Sequence, residues 1–223
     1  MIRPESELRV AIEAVRAAAK VCISVQGALV SADTLSKKDK SPVTVADFAS
    51  QALVCQVIAR ASAVKSVVGE ESAGELRGED AKELRGKVVE HVRAIAGGEL
   101  SEEDVLGLID LGGAEPSRTS GTYWTLDPID GTKGFLRGEQ YAIALALIEN
   151  GVVTLAALGC PNLPGPSGAS GTLMIAARGQ GAREMALDSA DVEGSPVRVA
   201  AITDPSQGRV VESVESGHSD QDR

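Results

Sequence analysis

The sequence predicts a mixed α/β chain in which helices are layered on a largely antiparallel sheet, and three observations carry that expectation. Leu8, Ile12, Val15, Ala19 and Ile23 recur at three- and four-residue steps, the stripe of an amphipathic helix. Two aliphatic, β-branched runs at 141–148 and 152–158 flank Glu149-Asn150-Gly151, and Asn-Gly is the favoured pair for a tight hairpin turn. Aromatic residues are only 2% of the 223, so Ala, Val, Leu and Ile must fill the core.

In chain order, the first helix turns its other face, Arg9, Glu13, Arg16 and Lys20, to solvent and reads as scaffold. Residues 36–42 are a polar loop, and Asp47 stands at its junction with a second helical segment around 52–58. The run 64–68 reads as a buried strand that delivers Glu70 and Glu71 at its carboxyl end. Charged residues 75–90, and 101–111 with Ser101 as N-cap before Glu102, Glu103 and Asp104, read as exposed helices. A strand over 122–126 runs into Asp127-Pro128-Ile129-Asp130-Gly131-Thr132, where Pro128 stops the ladder and Gly131 permits a tight turn, with a helix start expected beyond it. Residues 161–171, rich in Pro and Gly, read as a connection, and 172–177, 197–202 and 210–214 as further short strands.

Thirty-two acidic against 22 basic residues leave a formal charge of −10, which argues against a nucleic acid polymer as partner and suits a site that gathers cations. Cys22, Cys55 and Cys160 are scattered, without the spacing of a disulfide framework or a zinc site, and are expected to pack quietly in a reducing compartment. No run of 18 apolar residues exists and the N-terminal segment lacks a basic start before an apolar block. The expectation is a cytoplasmic protein with no membrane partner.

Asp127 and Asp130, three apart on one turn, can converge with the Ile129 carbonyl on a hard cation, and Glu70 can add a carboxylate from a separate strand. Clustered acids repel unless neutralised, and Mg²⁺ held by one or two carboxylates, waters and a substrate phosphate is the usual solution. Asp-Pro and Asp-Gly are also common turn formers, and Glu70 and Glu71 taken singly are ordinary solvated acids. The Thr132 hydroxyl can hold a water whose proton passes to Asp47, while the plainer alternatives are a helix cap at Asp47 and a turn hydrogen bond at Thr132. Lys37, Lys38, Lys40, Lys133 and Arg137 can attract phosphate or simply be surface charge, and His218 can be an uncommitted surface histidine.

Three ordered segments, Ser41-Pro42-Val43-Thr44-Val45-Ala46-Asp47, Val68-Gly69-Glu70-Glu71-Ser72 and Leu126-Asp127-Pro128-Ile129-Asp130-Gly131-Thr132, resemble the magnesium-dependent, lithium-sensitive phosphatase superfamily of inositol monophosphatases, fructose bisphosphatases and bisphosphate nucleotidases. Residues 133–141, Gly159-Cys160-Pro161-Asn162-Leu163 and 211–219 resemble its 3′(2′),5′-bisphosphate nucleotidase branch, and 74–120 match least. The resemblance implies a sugar-phosphatase-like α/β fold, with a first domain over 1–163 and an incomplete second over 164–223. It implies Mg²⁺ on Glu70, Asp127, the Ile129 carbonyl and Asp130, water activation by Asp47 and Thr132, and substrate contacts from Thr132, Gly217, His218 and Ser219. The implied reaction removes the 3′-phosphate of adenosine 3′,5′-bisphosphate to give AMP and phosphate in sulfur metabolism, with 3′-phosphoadenylyl sulfate as a second candidate substrate. Alternatives are an inositol phosphate phosphatase of the same superfamily, or a truncated, catalytically inactive chain. The family's later Trp-Asp motif has no counterpart, because the only tryptophan, Trp124, lies upstream of Asp127.

Overall fold

A computed structural model describes residues 4–31, 41–115, 121–168 and 171–209. Helices α1 (Pro4–Ser31) and α2 (Ser41–Ala61) open the chain, and strand β1 (Val67–Val68) follows. A short 3₁₀ turn at Ala73–Leu76 leads to α3 (Lys82–Ala96) and α4 (Glu102–Asp110). Then come β2 (Thr122–Asp130), α5 (Thr132–Arg137), β3 (Ala142–Glu149), β4 (Val152–Cys160), β5 (Thr172–Ala177), β6 (Gly181–Ala186) and β7 (Ser195–Val197). The seven strands form one sheet in sequence order; β1 and β2 are parallel and every other pair is antiparallel. The boundary expected at 163/164 falls in the connection from β4 to β5, and β5 pairs with β4 from Thr172 to Ala177.

The alternation along β3 assigns the faces. Ile143, Leu145 and Leu147 are buried, as are Leu155 and Ala157 of β4 and Trp124 and Leu126 of β2, while Ala142, Ala144 and Ala146 on the other face are only partly covered. The buried face packs on α1 and α2, which also pack on each other and bury many small residues, among them Ala11, Ala14 and Ala18 on one helix and Ala46, Ala49 and Ala52 on the other. With so few aromatics, Trp124, Phe48 and Phe135 are the largest side chains wholly inside. Cys22 and Cys55 are buried free thiols, and Cys160 is half-buried and free. No helix among the described residues is long and apolar enough to cross a membrane.

Several elements differ from the sequence expectation for identifiable reasons. Helix α2 starts at Ser41, because Pro42 falls in the first turn, where its missing N–H breaks no hydrogen bond. Asp47 therefore lies in the second turn and not at the junction. Strand β2 runs through Pro128 to Asp130: pairing shifts register between Asp127↔Ala144 and Asp130↔Ala142, and the bulge accommodates the proline without a ladder hydrogen bond. Strand β1 shrinks to two residues. Strand β6 was not expected, since Gly-Ala-Arg-Glu-Met-Ala has no apolar alternation; the turn before it, with Gly179 at φ 78°, folds it back on β5. Strand β7 ends at Val197, residues 198–202 join no strand, and 210–214 lie outside the described residues. The expected hairpin joins β3 and β4: Asn150 (φ 51°) and Gly151 (φ 78°) both take the left-handed conformation of a type I′ turn. The capping box at Ser101 and Asp104 is present at the start of α4.

One buried polar junction ties these layers together. Glu7 of α1 is only 1% exposed and accepts hydrogen bonds from Ser62 Oγ at 2.6 Å and the Ala63 N–H at 2.9 Å. The same Ser62 Oγ accepts from Trp124 Nε1 at 3.1 Å and the Val64 N–H at 2.9 Å, so α1, the end of α2 and β2 meet at one hydroxyl. Ser62→Ala leaves the indole and amide donors unmet and removes a donor from a buried carboxylate, and is expected to cost about 2–4 kcal/mol in urea unfolding. A loss below about 0.5 kcal/mol, the range of an ordinary surface substitution, would show that this junction does not brace the layers.

Candidate functional site

The acids singled out in the sequence come from three elements and meet at one end of the sheet. Within the β2 bulge, Asp127 Oδ1 accepts the Ile129 N–H at 3.1 Å, so the turn is closed by its own side chain. Gly131 follows at φ 89° and α5 begins at Thr132, whose hydroxyl donates to the Ile129 carbonyl at 3.4 Å. Ser50 of α2 donates to the Pro128 carbonyl at 3.3 Å, fixing the turn against the helix that carries Asp47 one turn earlier.

The Glu70-Glu71 segment is held by a residue that sequence reasoning missed. Gln51 is fully buried, and its Oε1 accepts the Glu70 and Glu71 N–H groups at 3.1 and 3.0 Å. Its Nε2 donates to the Glu71 and Ile109 carbonyls at 2.7 and 2.8 Å, so one neutral amide meets four backbone groups. Gly69 and Gly112 press on this amide so closely that a Cβ at either would overlap it. A polar side chain inside the apolar run 45–58 was the available signal.

These acids share one electrostatic field. Burial, and then the charges of Glu71, Glu70 and Asp127, pushes the Asp47 carboxyl up to about 8. Burial with Glu70 and Glu75 pushes Glu71 up to about 7. Asp127 is also raised, by burial, Glu70 and Asp130, against the lowering effect of the Ile129 N–H. Glu71, read as an ordinary solvated acid, thus belongs to the group. Among the described residues no three His, Cys, Asp or Glu side chains already converge as a metal cage. The donor chemistry nevertheless fits a hard divalent cation: the groups are all oxygens, burial and neighbouring acids raise the proton affinity of Asp47, Glu71 and Asp127, and a Mg²⁺-type ion needs only one or two carboxylates beside waters and a phosphate.

Thr132 and Lys133 lie exposed on α5, and Arg137 at its end pairs with Glu139 at 2.7 Å. Lys37, Lys38, Lys40, Gly217, His218 and Ser219 fall outside the described residues. Beneath the turn, Tyr141 packs edge-on to Phe135 with ring centroids 5.0 Å apart, and its buried hydroxyl has no hydrogen-bond partner among the described residues.

Comparison with known proteins gives a consistent result. Residues 3–223 match the model of the inositol monophosphatase family. A protein named 3′(2′),5′-bisphosphate nucleotidase 1 from Arabidopsis thaliana is 41% identical over 237 residues, covering 96% of this chain and 66% of its own length. The 3′(2′),5′-bisphosphate nucleotidase of Oryza sativa is 42% identical over 236 residues, covering 96% of this chain and 64% of its own. The chain thus spans slightly under two thirds of these relatives. The structure of an inositol monophosphatase from Anabaena (Nostoc) superposes with a TM-score of 0.50 at 21% identity, over 91% of this chain and 52% of that one, and shows a shared fold. Because the family match spans residues 3–223, from the first helix past Glu70 and the acid turn, the chain belongs to the inositol monophosphatase family.

Proposed function

We propose that the site serves Mg²⁺-dependent hydrolysis of the 3′-phosphate of adenosine 3′,5′-bisphosphate, giving AMP and phosphate, with 3′-phosphoadenylyl sulfate as a second substrate, in cytoplasmic sulfur metabolism. The observation that carries it is the set of carboxylates, Asp47, Glu71 and Asp127, raised by burial and by neighbouring acids around a turn whose exposed end is the Thr132 hydroxyl. The relatives' names supply the substrate class.

In this reading Glu70, Asp127, the Ile129 carbonyl and Asp130 hold the cation. When bound, Mg²⁺ neutralises charge on the attacking and leaving oxygens of an in-line displacement. Thr132 orients a water against phosphorus, and Asp47 accepts its proton through the Thr132 hydroxyl as the P–O3′ bond breaks and the leaving oxygen takes a proton from solvent. Lys133 and Arg137 draw the anionic substrate toward α5, and Gly217, His218 and Ser219 add contacts to it. A second reading is a chain that binds cation and nucleotide without turnover.

Phosphate release from adenosine 3′,5′-bisphosphate, with and without Mg²⁺ and beside inositol 1-phosphate, separates these readings. Mg²⁺-dependent release from the bisphosphate alone supports the proposal. Release from inositol 1-phosphate alone moves the substrate to the other branch, and calorimetric binding without release supports the inactive chain.

Asp130→Asn removes a cation carboxylate from an exposed position at little cost to folding, and turnover is expected to fall by at least about 100-fold. Retained turnover in a folded variant would refute the assignment of Asp130.

Gln51→Glu keeps the acceptor for the Glu70 and Glu71 amides but loses the donors to two carbonyls and adds a buried acid. A stability loss of about 2–4 kcal/mol is expected, with weaker Mg²⁺ binding in titration calorimetry. Unchanged values for both would mean that the amide does not position Glu70.

Stability of the metal-free protein follows from the raised carboxyls. Asp47 and Glu71 go from ordinary values of 3.8 and 4.5 to about 8 and about 7 in the folded state, so the folded chain holds protons that the unfolded chain releases. Their contribution is complete below the unfolded values and disappears as pH rises through 7 and then 8. In chelator, the melting temperature is therefore expected to fall between these limits, and Mg²⁺ to flatten that slope. A pH-independent melting curve in chelator would contradict the shared field.

A further inference from the structure

Two segments marked by the sequence, 133–141 and 159–163, contain polar residues that the proposed reaction does not use. The structure joins them through side-chain amides. Gln26 of α1 donates from Nε2 to the Phe135 carbonyl at 2.7 Å, and its Oε1 accepts Asn162 Nδ2 at 3.1 Å. Asn162 Nδ2 also donates to the Glu139 carbonyl at 2.6 Å, and the Asn162 carbonyl accepts Gln140 Nε2 at 2.8 Å. A relay therefore runs from α1 through the loop after β4 to the end of α5 and the strap that follows it.

Helix α5 needs this support. It has six residues, too few to stand alone in water, and Gly131 before it supplies no side-chain cap. Its late carbonyls lack helical partners; Gln26 and the Gly138 N–H, at 3.2 Å, both meet that of Phe135. The strap lies so close that a Cβ on Gly134 would fall on the Gln140 carbonyl, so movement of the strap is movement of α5. Gln26 is buried, and Asn162 and Gln140 lie progressively nearer solvent.

We infer that Gln26 and Asn162 are positioning residues that set α5, and through it the Thr132 hydroxyl, relative to the acid turn. The effect on Thr132 rests on the proposed reaction, whereas the ordering of α5 does not.

Amide hydrogen exchange on the 223-residue chain tests the ordering, with peptides covering 131–141 read against a reference within 45–58. Gln26→Glu keeps the shape but cannot donate, and Asn162→Ala removes the nearer-solvent link at small risk to folding. Each is expected to raise exchange in 131–141 about tenfold with the reference unchanged, and the double variant to add little to either. Unchanged exchange, equal acceleration in the reference or full additivity would overturn the relay. For Thr132, the kcat for bisphosphate hydrolysis per folded molecule is expected to fall about tenfold in either variant with KM within about twofold. An unaltered kcat alongside raised exchange would overturn the positioning role. If the unsubstituted chain releases no phosphate, the proposed reaction fails, and exchange alone decides whether the relay orders α5.

Discussion

Carboxylates from α2, from the loop after β1 and from the end of β2 are held close enough that neighbouring acids, with burial, raise their proton affinity, and the surrounding structure has to resist that repulsion. Neutral groups hold them in place. Gln51 takes the backbone of Glu70 and Glu71, Ser50 takes the Pro128 carbonyl, and Thr132 takes the Ile129 carbonyl. A buried Lys or Arg in the same positions would satisfy the charge internally and leave no field for an external cation. Amides and hydroxyls fix geometry without cancelling charge, so the negative potential is kept for a ligand.

That arrangement explains where close packing is demanded. Gly69 and Gly112 yield their side-chain space to the Gln51 amide, and Gly134 yields its own to the strap beyond α5. At all three the constraint comes from a neighbouring polar group that cannot move without releasing a catalytic candidate. The hydrophobic layer below is built differently: α1 and α2 bury alanines and small aliphatics, and the sheet adds alternate Ile and Leu. This core has few large side chains to key it, and the Glu7–Ser62–Trp124 junction supplies directional contacts that an alanine interface lacks.

Much of this was legible in the sequence because its causes are local. The alternation of 142–149, the Asn150-Gly151 turn, the Ser101 cap and the acid turn at Asp127 are set within a few residues of one another. What escaped depends on residues far apart. Gln51 looks like one polar interruption in an apolar helix until Gly69, Glu70 and Ile109 close around it. Strand β6 has no pattern of its own and is a strand because β5 lies beside it. Asp47 was misplaced by one turn because a proline that ends most helices sits where a helix tolerates it. Gly217, His218 and Ser219 remain expectations from motif alone.

The two margins of the sheet have a consequence for behaviour at high concentration. On one side β1 is two residues long, and the backbone of residues 112–114 already occupies its outer groups: Ala114 donates to the Val67 carbonyl and Gly69 donates to that of Gly112. On the other, β7 is three residues long with Pro196 at its centre, a residue with no N–H to offer a neighbour. A second chain seeking to add a strand finds an occupied backbone at one margin and an interrupted one at the other. Among the described residues, backbone chemistry at both margins thus disfavours pairing with a second chain, and the negative charge adds repulsion between copies.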